Sequence, residues 1–275
     1  MNEDLGKEMA IEAAKAVAVE GYKDTLQPTL KTVGGIIALP FQAIDAALSK
    51  PKLWVAEKHY NYERTLELLH EKLKNTPEEQ IVPPENYVAI PALQQISYCF
   101  DSDELRDMYA NLLANSMNKV VKNGVHPGFV EIIKQLSPDE AKMLRYLYKN
   151  PLVPTIAIKV YKKPSGMVIV QHLFTNIMEI CKCENPNGYE KAVDNLLRLG
   201  LVKLPDDESL TDKSQYEQLK NHPYILNKKK YLEALENVAT VDFIEGHIEL
   251  TAFGRSFCDI CLSTQNVITI TVDDK

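Results

Sequence analysis

The spacing of apolar residues changes at Pro151, and this change constrains the fold more than any other feature of the sequence. Before Pro151, apolar residues recur three or four positions apart, as they do on one face of an amphipathic helix. After it, the stretch TIAIKVYKKPSGMVIVQHLF at residues 155–174 contains β-branched runs separated by Pro-Ser-Gly, a pattern typical of strands around a turn. The predicted fold is therefore mainly α, with a helical first part and a mixed α+β second part.

Capping residues mark where two of the predicted helices begin. In DSDELRDMYANLLANSMNKVV, Asp101 is the predicted N-cap and Glu104 follows three residues later. In QLSPDEAKMLRYL, Ser137 is the predicted cap, Pro138 occupies the first helical position, and Glu140 completes a capping box. This second start lies just ahead of the change in periodicity, so it sets the predicted boundary between two domains.

The order of elements after this boundary predicts a winged-helix-like domain. A helix and a strand-rich segment are followed by the helix YEKAVDNLLR, which Gly200 ends, and by a short strand. A long, partly helical excursion then leads to the strand HIEL and a last helix capped by Thr251. With 275 residues, the chain is long enough for two hydrophobic cores. The predicted divisions are an α-helical domain at 1–136, a winged-helix-like domain at 137–265 and a tail at 266–275.

One apolar segment of the first domain, TVGGIIALPFQAIDAALSKP, has a sequence that does not suit a regular helix. Gly34 and Gly35 loosen the backbone, and Pro40 interrupts the helical pattern. Two interpretations remain open: a kinked core helix, or a mobile segment that leaves the core to bind a partner or lie in a membrane interface. The candidate membrane- or partner-binding residues are Ile36, Ile37, Leu39, Phe41 and Ile44.

The cysteines do not predict a metal site. They are Cys99, Cys181, Cys183, Cys258 and Cys261. The 181/183 pair is spaced C-x-C, and the 258/261 pair lies within a predicted amphipathic helix, where a free cysteine behaves as a small apolar residue. An odd number of cysteines without a basic leader segment favours a reducing, cytoplasmic location. No metal and no cofactor is predicted.

No stretch of the sequence predicts a catalytic site. His126, in NGVHPGF, has no evident partner acid or nucleophile and is interpreted as a residue at the start of a helix. The acids of DSDELRD suit helix capping and compensation of the helix dipole. The sequence contains no phosphate-binding glycine loop, G-x-S-x-G or H-E-x-x-H motif. These observations favour a protein that is not an enzyme.

The charge distribution favours protein contacts over nucleic acid. The chain has a net charge of -7, and the predicted recognition helix sets Lys191 and Arg198 against Glu190 and Asp194. Phosphate binding needs a surplus of cations. A protein partner or a homo-oligomer is therefore the favoured expectation, and a nucleic-acid contact through Lys191 and Arg198 is the alternative. No apolar run reaches the roughly 18 residues of a membrane-spanning helix.

Several stretches, taken in order, resemble the bacterial abortive infection alpha family. They are ENYVAIPALQQI, LRDMYANLLANSM, HPGFVEIIKQLSPDEAKMLRYL, DNLLRLGLVKLP and IELTAFGRSFCDIC. The second and third are the most specific, whereas the last two are also typical of winged helices in general. The resemblance implies a bacterial, cytoplasmic protein of anti-phage defence. It implies no agreed enzymatic activity, and so it assigns no catalytic residues.

Overall fold

The computed structural model describes residues 67–96 and 102–263. The apolar segment with Ile36, Ile37, Leu39, Phe41 and Ile44 lies outside these residues, as do Cys99 and the predicted tail. The described residues divide into two compact units. Those up to Lys134, with Ser263, form the first unit, and Gln135–Leu262 form the second.

The described part of the first unit is helical. Residues 67–73 are in a helix, and three labelled helices follow: α1 (Asn86–Ile96), α2 (Asp103–Ser116) and α3 (Gly128–Lys134). Short 3-10 turns occupy Glu78–Gln80 and Lys122–Gly124. Every residue of α2 from Met108 onward is buried, so this helix forms the centre of the unit's core.

The predicted cap of α2 is wrong by one residue. Ser102, not Asp101, is the N-cap, and its hydroxyl oxygen accepts a hydrogen bond from the Leu105 N–H at 3.2 Å. The helix therefore starts at Asp103, which places Asp103 and Glu104 in the first turn. There the negative charges of their carboxylates interact favourably with the positive end of the helix dipole. DSDELR contains two adjacent capping candidates, and the extended backbone of Ser102 decides between them.

The second unit contains a four-stranded antiparallel sheet and the helices that pack around it. Its helices are α4 (Pro138–Lys149), α5 (Ile177–Ile180), α6 (Tyr189–Arg198), α7 (Ser214–Lys220), α8 (Pro223–Glu233) and α9 (Ala252–Cys261). Its strands are β1 (Leu152–Lys162), β2 (Met167–Phe174), β3 (Val202–Lys203) and β4 (Val238–Leu250). The strand order is β2-β1-β4-β3. The general prediction, mainly helical with strands only after Pro151, is confirmed for the described residues.

The turn and cap signals of the second unit are confirmed. Ser137 and Glu140 form the predicted capping box at the start of α4. Gly200 has φ of 70°, the left-handed conformation that ends α6 and that glycine adopts without strain. The Thr251 hydroxyl oxygen accepts from the Gly254 N–H at 2.8 Å and so caps α9. A Cβ at Gly254 would lie 1.9 Å from the Leu201 carbonyl oxygen, so only glycine allows α9 to pack this closely.

The sheet is covered unequally along its length. Ile156, Ile158 and Val160 of β1 are buried, and α7 packs on β1 and α8 on β4. At the other end of β1, Tyr161 and Lys162 are exposed. The excursion between β3 and β4 therefore covers part of the sheet and leaves the end of the β1–β2 hairpin in solvent.

Candidate functional site

Helix α6 presents one apolar and one charged face. Its buried residues are Tyr189, Ala192, Val193 and Leu196. On the opposite side, Glu190, Lys191, Asp194 and Arg198 are exposed. The helical spacing of apolar residues that predicted this element therefore also determines which side chains are exposed. The two acids and two bases stand as the sequence predicted, with no surplus of positive charge.

The two cations of α6 differ in how far their charges are already engaged. The Arg198 guanidinium donates to Asn195 Oδ1 at 2.7 Å and to Gln135 Oε1 at 3.0 Å. These hydrogen bonds join the guanidinium to two neutral side-chain oxygens, and one of them belongs to Gln135, the first residue of the second unit. Lys191 is exposed and makes no hydrogen bond or ion pair with the described residues. Of the two predicted contact residues, only Lys191 is therefore fully available to a partner.

A buried glutamine links α6 to the sheet and to α8. Gln171 of β2 is 5% exposed, and its Nε2 donates to the Leu173 carbonyl at 2.9 Å, to Tyr189 Oη at 3.1 Å and to Glu190. Its Oε1 accepts from the Tyr224 hydroxyl at 3.1 Å and from Lys228. One amide therefore bridges a carboxylate and an ammonium and satisfies its own buried polar atoms.

Aromatic rings pack beside this amide. The Phe174 ring lies edge-on to Tyr189 with centroids 5.4 Å apart and stacks with Tyr224 at 5.6 Å. His222 also contacts Phe174, at 5.1 Å between ring centroids, and its Nε2 lies 3.2 Å from Glu179 Oε2. Burial raises the pKa of the Tyr189 hydroxyl well above its usual value, so this hydroxyl stays neutral. We name Gln171, Phe174, Tyr189, Glu190, Tyr224 and Lys228 the amide cluster.

Sequence reasoning missed the amide cluster. Lys228 lies in a short basic run of α8, and its ammonium group reaches Gln171 and lies 5.5 Å from the centroid of the Tyr224 ring. The signal that could have found the cluster is the glutamine within VIVQHLF, at a position that the strand alternation places inside.

A second polar group holds the excursion on the sheet. Glu245 of β4 forms ion pairs with Lys213 at 2.7 Å and with Lys220 at 2.9 Å. The Tyr216 hydroxyl donates to the Gly246 carbonyl at 3.0 Å and accepts from the Leu210 N–H at 2.7 Å. Hydrogen bonds from Lys213 and Lys220 lower the pKa of the Glu245 carboxyl. These contacts fix α7 to β4.

The four described cysteines lie apart from any metal-binding arrangement. Cys183, Cys258 and Cys261 are buried, and Cys181 is half-buried. Burial raises the pKa of Cys181 to about 11 and that of Cys183 to about 12, so both thiols stay protonated at neutral pH and are poor nucleophiles. Within residues 67–96 and 102–263, no group of three or more His, Cys, Asp or Glu side chains is arranged to hold a metal ion.

His126 lies where the sequence placed it, at the start of α3. Its Nδ1 accepts a hydrogen bond from the Gly128 N–H at 3.0 Å, and its ring lies 5.8 Å from that of Phe129. Of the acids predicted to compensate the helix dipole, Asp103 and Glu104 lie in the first turn of α2, where Asp103 also forms an ion pair with Arg106. His126 and these acids therefore stabilise the starts of α3 and α2.

The comparison with protein families identifies the chain's relatives. The family model of abortive infection alpha matches residues 57–261. The chain belongs to the abortive infection alpha family. This membership confirms the resemblance noted in the sequence and connects the protein to abortive infection.

Other comparisons add little to this assignment. No curated protein matches the chain. Among solved structures, the chain is similar to an uncharacterized protein from the hydrocarbon-degrading marine bacterium Alcanivorax borkumensis SK2, with 12% identity and a TM-score of 0.34. That similarity covers 49% of this chain and 92% of the other. Among the helices of the described residues, none has the length and apolarity required to cross a membrane.

Proposed function

We propose that this member of the abortive infection alpha family is a non-enzymatic defence protein that acts through protein contacts made by the exposed face of α6. The observation that carries this proposal is the balanced charge of that face, where the Arg198 guanidinium is already bonded to Asn195 and Gln135. A face with equal numbers of acids and bases suits a protein surface, because complementary charges select a partner there. The compartment we propose is the cytoplasm, where free thiols persist.

We also propose that the second unit is a winged-helix-like module, and this interpretation supports the choice of surface. The elements α4, β1, α5, α6, β3 and β4 follow one another in the order of such a module, and β4 lies between β1 and β3 in the sheet. In this interpretation β2 and the helices α7 and α8 are insertions. Helix α6 then corresponds to the element that winged-helix modules present to their ligands. We retain 1–136 and 137–265 as the limits of the two proposed domains.

The test combines phage challenge with a binding measurement. Cells expressing the protein are challenged with phage, and the wild type is compared with the double variant Lys191→Glu/Asp194→Lys, which reverses two exposed charges of α6 and keeps the net charge. Loss of protection by this variant, with an unchanged circular dichroism spectrum, supports the proposal. Full protection by the folded variant contradicts it, because the face would then not contact a partner. Lys149→Glu/Glu208→Lys, at exposed positions outside α6, is the matched control.

The alternative is a nucleic-acid-binding regulator of a defence locus, and the exposed ammonium of Lys191 favours it. In our proposal duplex DNA binds no tighter than the non-specific range of about 10⁻⁴ to 10⁻⁶ M at physiological salt. Fluorescence anisotropy measures this affinity directly. Nanomolar binding that weakens in Lys191→Ala or Arg198→Ala would establish the alternative in place of the protein contact.

The apolar segment at residues 33–48 is the second contact surface that we propose. Its large apolar residues are too numerous for a solvent-facing loop. Burial of its apolar area against a partner or a bilayer interface would contribute roughly 25 cal/mol per Å². Ile37→Asp/Phe41→Asp should abolish protection while the second unit stays folded. Hydrogen exchange that protects residues 33–48 as strongly as α2, together with no flotation on uncharged phosphatidylcholine liposomes, would instead make the segment a part of the core.

A further inference from the structure

The end of the β1–β2 hairpin and the turn after α8 form one exposed surface. Residues 161–167 are all exposed. The Lys163 N–H donates to the Asn237 carbonyl at 2.9 Å, and Lys162 pairs with Val238 at the start of β4. The residues that we name the hairpin surface are Tyr161, Lys162, Lys163, Met167 and Leu235, together with Lys230 of the last turn of α8, whose carbonyl accepts from the Ala234 N–H at 3.2 Å.

The hairpin surface carries positive charge that the described residues do not neutralise. Lys162, Lys163 and Lys230 are exposed and form no ion pair with them. This is notable in a chain whose net charge is -7. A group of unpaired cations on a predominantly acidic protein is complementary to an anionic partner.

The acids around this surface do not cancel its charge. Glu233 pairs with Lys229 at 3.8 Å. The Tyr161 side chain raises the pKa of the Lys159 ammonium, and Asp242, which lies opposite Lys159 in the sheet, adds a smaller increase. Glu236 is the remaining acid of the turn. Cations therefore outnumber acids at this end of the sheet.

Exposed apolar side chains lie among these lysines, and their chemistry indicates which class of anionic partner the surface suits. Met167 is 56% exposed, Tyr161 39% and Leu235 37%. Tyr161 and Met167 are opposite each other on β1 and β2, so they share one face of the hairpin. Nucleotide bases stack on aromatic rings, and of these three side chains only Tyr161 provides one. Aliphatic side chains flanked by lysines and a tyrosine are instead the composition of a membrane-interface contact.

We propose that the hairpin surface binds the face of an anionic phospholipid bilayer. Lys162, Lys163 and Lys230 contact headgroup phosphates, and Met167 and Leu235 enter the interfacial layer. Tyr161 lies at the level of the headgroups, where an amphipathic ring is stable. This inference goes beyond the protein contact proposed for α6 and depends on different elements.

The test is flotation of the full chain with vesicles. Vesicles of equal parts phosphatidylcholine and phosphatidylglycerol should carry the wild type, whereas phosphatidylcholine vesicles should not. Lys162→Glu/Lys163→Glu should weaken binding by at least about tenfold, since each lysine near an anionic surface contributes roughly fivefold to affinity. Met167→Ser should weaken binding less, and added salt should weaken it in the wild type.

Matched controls separate this surface from general charge and exposure. Lys149→Glu/Lys182→Glu changes the net charge equally at exposed lysines of other elements, and Ile180→Ser removes a comparably exposed apolar side chain. Both should float as the wild type does. Ile37→Asp/Phe41→Asp should also float, which distinguishes the hairpin surface from the apolar segment at 33–48.

Three outcomes would overturn the proposal. In the first, the wild type fails to float with anionic vesicles. In the second, Lys162→Glu/Lys163→Glu floats as well as Lys149→Glu/Lys182→Glu. In the third, the wild type binds a single-stranded or duplex oligonucleotide in anisotropy titrations more tightly than vesicles, and that binding is lost in Lys162→Glu/Lys163→Glu. Circular dichroism of every variant confirms that the fold is retained.

Discussion

Helices α2 and α6 have similar apolar spacing but opposite environments. From Met108 to Ser116 every residue of α2 is buried, including the polar side chains of Asn111 and Asn115. In α6 only one face is buried, and Glu190, Lys191, Asp194 and Arg198 lie in solvent. A helix enclosed on all sides contributes to the core, whereas a helix with one charged face can also contact a partner. Helix α6 is therefore a better candidate for a functional surface than α2.

The largest expected effect is the loss of a core side chain from α2. Leu112→Ala should lower the free energy of unfolding by about 2–5 kcal/mol, because Leu112 is fully buried and its removal leaves a cavity. Leu197→Ala on α6 should cost clearly less, since Leu197 is half-buried. Urea denaturation followed by circular dichroism measures both. Equal costs would mean that α6 is as enclosed as α2.

The next effect concerns the amide cluster. Gln171→Leu should lower the free energy of unfolding by about 1–3 kcal/mol, because it leaves the buried groups around Tyr189 without their hydrogen-bond partner. His172→Leu, at the exposed neighbouring position of β2, is the control and should change stability little. Should the two variants be equally stable, the cluster would not be what holds α6 to β2 and α8.

A pH-dependent effect is expected for the ion pairs of the excursion. The pKa of Glu245 is lowered in the folded protein, so its contribution to stability is present above the ordinary value of 4.5. It is lost as the pH falls below 4.5 through the lowered folded-state value. Glu245→Gln should therefore be less stable than the wild type at neutral pH and approach it in acid. Thermal unfolding over this range tests the expectation, with Glu236→Gln as the control.

The smallest effect is expected at the two exposed positions noted from the sequence. His126→Ala removes the ring nitrogen that accepts from the Gly128 N–H, and should cost about 0.5–1 kcal/mol while leaving phage protection intact. Lys191→Ala should change stability by less than about 0.5 kcal/mol. Unfolding and plaque assays on the purified and expressed variants check both. Loss of protection by a folded His126→Ala protein would make this histidine part of a functional site.

Whether a feature could be predicted from the sequence depended on how far apart in the sequence the interacting residues lie. The capping box at Ser137, the end of α6 at Gly200 and the cap at Thr251 are local, because each involves residues only a few positions apart. They were predicted correctly. The cap of α2 was placed at Asp101 instead of Ser102, because two neighbouring residues have the same capping chemistry and only the backbone conformation selects one.

The site could be predicted only in part. The charges of α6 were identified from helical spacing, but the hydrogen bond from Arg198 to Gln135 joins residues 63 positions apart in sequence. The hydrogen bond from Tyr224 to Gln171 spans 53 positions. No periodicity in one sequence specifies which distant polar groups meet.

The sequence by itself determined the helices of the described residues before Pro151, the strands after it, the capping box at Ser137, the helix end at Gly200, the cap at Thr251 and the resemblance to the abortive infection alpha family. Those features follow from local propensities and short motifs. Only the tertiary structure decided that Gln171 is buried beneath α8, that Lys228 turns toward it, and that Lys162 and Lys163 stand in solvent beside the turn after α8. Burial and pairing of these side chains depend on how distant segments pack, since a polar group's free energy is set by the partners around it.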